Sequence, residues 1–108
     1  MIDITNLSFA DRTALVDYAN AIRDVSLIAL IHKPTSPVGP AKKAKIWKRA
    51  EQEIRKPIHE SFVALQLLKQ SADPELPELA EQCLQQNCSA GKQLRKLGRN
   101  IKNELAVQ

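Results

Sequence analysis

Leu76, Ala80, Cys83, Asn87, Ala90, Leu94, Leu97, Ile101 and Leu105 step through the last third of the chain by four and three residues in alternation, closing on a step of four. A strand repeats its faces every two residues and a helix every 3.6, so this stripe commits residues 76–105 to helix. A seam of this kind wants a second helical surface to cover it, and the rest of the chain offers two.

The first candidate runs from about residue 8 to 32. Leu15, Tyr18, Ala19, Ile22, Val25 and Ala29 recur at helical spacing, and Ser8 or Asp11 supplies a cap. Its last turns, "VSLIALI" at residues 25–31, are apolar all round, which predicts burial on several sides. Read as a strand, the same run would need a partner strand, and the sequence contains none. The second candidate runs from Pro40 or Ala41 to about Ser71, with proline favourable at the first helical position. Trp47, Ala50, Ile54, Ile58, Ser61, Leu65 and Leu68 form its expected inward face, flanked by Ile46 and Phe62. Pro57 interrupts this stripe without shifting its phase, so a bent single helix is expected in preference to two.

Two proline-bearing breaks separate the three segments. "KPTSPVGP", residues 33–40, spaces its prolines by three, as a stiff extended connector does, and it also fits a weak PxxP ligand pattern. "ADPELPE", residues 72–78, places Asp73 as a cap ahead of Pro74, while Pro77 moves the helix start later. Gly91 and Gly98 mark either a hinge or a close helix approach. The expected fold is all-α: a single domain over residues 1–108, an up-down-up bundle of three long helices, broken into four or five if Pro57 and Gly91 interrupt them.

Hydrophobic residues at 44% and charged residues at 26% are ordinary for a globular chain, so a packed core is expected. The N-terminus lacks the basic and apolar parts of a secretory leader, and the apolar run at 25–31 is far short of a membrane span. A cytoplasmic protein is expected, with no membrane partner. Cys83 and Cys88, five apart on one helix, would be too distant for a disulfide and are read as reduced thiols. His32 and His59 have no further ligands at metal spacing, and "SAGK" at 89–92 lacks the glycine frame of a phosphate loop. No catalytic constellation and no cofactor fingerprint is legible, so no enzyme, no metal and no cofactor is expected.

Charge is where the sequence departs from the ordinary. The net +4 is distributed as −2 over residues 1–32, +6 over 33–56, −4 over 73–91 and +4 over 92–108. Acids opening the third segment and bases closing it suit the helix dipole. Lys42, Lys43 and Lys45, at the start of the second helix, oppose it, and a helix start with free N–H groups and added lysines is a candidate anion site. The basic stripe continues as Lys48, Arg49, Arg55 and Lys56. Lys92, Arg95, Lys96, Arg99 and Lys102 form a second stripe, and an up-down-up bundle would bring both to one end. These twelve side chains are the expected partner-binding set. The expected function is protein–protein interaction as an adaptor, regulator or inhibitor, with a homodimer covering surplus apolar surface. The alternative is nucleic-acid binding through residues 41–56 and 92–102, against which stands the scarcity of aromatics for stacking.

Overall fold

A computed structural model describes residues 2–107, which form a 3₁₀ turn at Ile4–Asn6 and four α-helices. These are α1 (Phe9–Ile31), α2 (Pro40–Lys69), α3 (Leu76–Leu84) and α4 (Cys88–Val107), with no strand among the described residues.

Each start is set by a side chain or a proline. Ser8 caps α1, its Oγ accepting from Asp11 N at 3.1 Å. Asp73 Oδ1 accepts from Glu75 N and Leu76 N, but the N-cap of α3 is Glu75, two residues after the cap the sequence places at Asp73, the delay expected of Pro77. Helix α2 follows Gly39 with Pro40 in its first turn and no side-chain cap. It runs unbroken through Pro57, as the phase of its stripe predicts.

The third segment divides, but ahead of Gly91. Gln86 has φ of 67°, Asn87 N donates to Gln82 O at 3.0 Å and Gln86 N donates to Cys83 O at 3.0 Å. That pair of reversed bonds is a Schellman ending, with glutamine in the left-handed position that glycine usually occupies. Asn87, expected as a polar seam residue, instead caps α4, its Oδ1 accepting from Ser89 N and Ala90 N. The chain therefore turns back after α3, and the order is up-down-up-down. Helix α4 runs antiparallel to α1: Gly91 lies by Tyr18, Gly98 against Leu15 and Ala19, and Glu104 by Arg12.

The four helices pack in a ring, α1 on α2, α2 on α3, α3 on α4 and α4 on α1. Leu15, Leu68, Leu76, Leu94 and Ile101 are its fully buried centre. A side-chain relay ties the base together: Ser71 Oγ donates to the buried Asp11 at 2.7 Å and accepts from Asp73 N at 3.0 Å. Lys69 pairs with Glu81 at 2.9 Å, and its hydrogen bond holds the Glu81 carboxyl below its ordinary range.

The ring covers only part of α1 and α2. Their remaining turns extend as a two-helix arm, giving a molecule of 52 × 32 × 20 Å. Its radius of gyration is 16.2 Å, against about 13 Å for a compact domain of this length. The all-round apolar end of α1, expected to be buried on several sides, lies in this arm with Leu27, Leu30 and Ile31 exposed. The physical reason is length: α3 is a nine-residue helix and α4 returns along the first half of α1, so neither reaches the arm.

Candidate protein-binding face

Along the arm, α1 and α2 pack on each other. His32 Nε2 meets Glu53 Oε2 at 2.6 Å, and Ala50 is the first fully buried residue of α2. From Pro40 to Arg49 only Ile46 is even partly covered, so the opening turns of α2 overhang the end of α1.

The stripe expected to face inward is only half covered. Ala50, Ser61, Leu65 and Leu68 are buried, but Trp47 is 66% exposed, and Ile58 and Phe62 are also exposed. These side chains line two adjoining hollows. One, of about 540 Å³, lies between Ala29, Pro34, Pro40 and Trp47, with His32, Lys33 and Lys43 on its rim. The other, of about 740 Å³, lies between Val25, Trp47, Ile54, Ile58 and Phe62, with Glu51, Arg55 and His59 on its rim. Trp47, Ala50 and Ile54 line both, so the two read as one apolar groove with Trp47 at its midpoint.

The basic residues sort by their position around α2. Lys43 and Arg55 are on the groove, and Lys48 stands in the same helical row as Arg55 and His59, at steps of seven and four. Lys42, Lys45, Arg49 and Lys56 are exposed and outside the groove's lining. The first turn of α2 contains no acid to offset Lys42 and Lys43, and no side chain caps it.

The second basic stripe is elsewhere. Lys102 Nζ donates to Asn20 Oδ1 at 3.1 Å, and Arg95 and Lys92 border a cleft with Tyr18 and Ile22. Lys96 faces Ile2, Ile4 and Glu75 at the acidic base, and Arg99 is exposed. At helical rise, the level of Asn20 is about 25–30 Å along the arm from Lys45 and Lys42. The expected convergence of the two stripes at one end is therefore corrected. The turn at Gln86 sends α4 toward the start of α1, whereas an unbroken third helix would have run toward the arm. Asp11 and Asp73 meet at the base, where they share Ser71.

In the cleft beside α4, Tyr18 and Cys83 share a hydrogen bond at 3.1 Å. Burial, and then that bond, push the Tyr18 phenol far above its ordinary value, so it is neutral at physiological pH. Arg95 Nε is enclosed there without an acceptor. Cys83 is half-buried and Cys88 exposed, both as free thiols. No cluster of three metal-ligating side chains occurs among the described residues, and no described helix is long and apolar enough to cross a membrane. Comparison with protein-family models, with curated proteins and with solved structures finds no match to this chain.

Proposed function

We propose that this chain is a non-catalytic interaction protein whose working surface is the arm formed by α1 and α2, an adaptor, regulator or inhibitor that binds another protein. The carrying observation is the exposed row Trp47, Ile58 and Phe62, in register with Ile54 on a basic-rimmed groove. Scattered exposed apolar residues need no explanation, but a contiguous row bordered by charge is the pattern of a binding site. Tryptophan at the midpoint of a groove is also the residue type that most often dominates interface energetics. The lysines at the uncapped start of α2 give this surface its positive pole.

Nucleic acid is the second reading, favoured by one observation: the sole tryptophan is exposed among bases, where stacking is possible. Against it, Trp47 shares its groove with aliphatic side chains, and the two basic stripes lie apart.

The test is a photoreactive residue at position 58, expressed in the cells that make the protein. A protein adduct that disappears with Trp47→Ala and Phe62→Ala supports the reading. A nucleic-acid adduct supports the alternative, and no adduct at position 58 removes both.

A further inference from the structure

From the charge and shape of the arm, and resting on the interaction reading above, we infer that the occupant of the groove is an acidic amphipathic helix of a partner protein.

Shape argues for a helix. Both walls are α-helices, whose backbone groups are already paired, so no sheet edge is available to an added strand. The apolar row from Trp47 to Phe62 is about 22 Å long at helical rise, the length of about four turns of a partner helix. Such a helix would place anchors at positions i, i+4, i+7 and i+11 along the hollow that runs from Trp47 to Phe62.

Charge selects its sign. Residues 33–56 carry a net +6. Lys33, Lys43, Arg55 and the adjacent Lys48 border the groove, and Glu51 is its one acidic lining residue. Glu53 is already engaged by His32. An acidic helix meets opposite charge along both edges, which raises its association rate and disfavours basic competitors.

The same observations disfavour a second copy as occupant. Two arms face to face would oppose +6 with +6. The most acidic of the described helices, α3, already buries Leu76 and Ala80 in its own core and has no free apolar face to offer. Leu76, Ala80, Leu94 and Ile101 are buried within the ring, so the seam they form offers no surface to a second copy.

Trp47 is the only tryptophan, so its emission reports the groove directly. The probe is a synthetic, tryptophan-free helix of about four turns, with Leu and Ile anchors and Glu flanks, compared with the same peptide carrying Lys in place of Glu. The Glu peptide should shift Trp47 emission to the blue with a Kd on the order of 10 μM. The Lys peptide should bind roughly tenfold or more weakly, a gap that closes as salt is raised. Ile58→Asp should abolish the shift while circular dichroism stays that of the parent, because Ile58 lies outside the buried core. Equal binding of both peptides overturns the inference while leaving the arm an interaction surface. Binding of neither overturns it too, and the arm reading then stands or falls on the position-58 adduct. A concentration-dependent blue shift of the protein alone, with twice the chain mass in sedimentation, would make a second copy the occupant. A shift produced by duplex nucleic acid and not by the Glu peptide would overturn it in favour of the nucleic-acid reading.

Discussion

Adding one methyl group at Gly98 tests the geometry that turns α4 onto α1. On an exposed helix, Gly→Ala is favourable by about 1 kcal/mol. Here the new Cβ would stand 2.2 Å from Leu15 O, 2.9 Å from Leu15 C and 2.8 Å from the Ala19 Cβ. Real Cβ atoms essentially never approach within 3.0 Å of such neighbours, and two of these three are backbone, so no rotamer change relieves the clash. The two helices must separate by about 1 Å. A gap of that size forfeits a quarter to a half of each dispersion contact across it, roughly 0.1–0.2 kcal/mol per atom pair before the loss. Leu94 and Ile101, both fully buried, contribute about 1.5–3 kcal/mol each by burial. Because the 2.2 Å clash is with backbone, loosening them costs about 2–3 kcal/mol, the upper part of the usual range for overpacking. With the propensity gain subtracted, Gly98→Ala should destabilise the protein by about 1–2 kcal/mol, lowering Tm by roughly 5–15 °C. Urea and thermal unfolding followed by circular dichroism measure this. Gly91→Ala is the control: its Cβ would meet only Tyr18 Oη at 3.2 Å and Cys83 Sγ at 3.5 Å, both side-chain atoms. It should be neutral or mildly stabilising. A Gly98→Ala variant as stable as its parent would refute the close crossing.

Three further outcomes are expected. Gln86→Gly should raise stability by about 0.5–1 kcal/mol in urea unfolding, since it relieves a left-handed glutamine (φ 67°) at the end of α3. Tyr18 is the only tyrosine, and the fold favours its neutral phenol. Stability should thus be intact below pH 10, where an unfolded tyrosine ionises, and fall above it, with no phenolate absorbance before the helical signal is lost; phenolate near pH 10 in a folded protein would contradict this. Replacing Lys42, Lys43 and Lys45 together by Gln should stabilise the free protein by a few tenths to about 1 kcal/mol in low salt, because these charges oppose the dipole of an uncapped helix start, and the gain should vanish at high salt.

Period and caps carried most of the fold. Leu76, Ala80, Leu94 and Ile101 are buried as their spacing requires, Ser8 caps α1, and Asp73 accepts from the first N–H of α3 although the cap itself falls at Glu75. The break at Gln86 is not legible in the sequence, because the residue in the left-handed position is not glycine, and the capping Asn87 falls in step with the seam. The difference at the candidate site follows from the same turn. Spacing shows that Trp47, Ile54, Ile58 and Phe62 share a face, but not what covers that face. Coverage depends on the lengths of α3 and α4, and those follow from the turn at Gln86. One turn thus decides both which end carries the second basic stripe and whether the groove is open.

The division of α1 and α2 into bundle and arm has a thermodynamic consequence, although no helix boundary separates the two parts. Turns packed in the ring, around Leu15, Leu65 and Leu68, can exchange their amide hydrogens only when the whole domain opens. Beyond Ile22 and Pro57 each turn is held by the facing helix alone, and a lone helix pair of this length is marginal in water. Opening of the arm should therefore be a cheaper, separate event, reported by faster exchange at residues 25–31 and 41–54 than at 12–20 and 61–68. A ligand seated on the arm would draw its protection from that reserve. It would slow exchange in those turns and leave the unfolding of the bundle nearly unchanged.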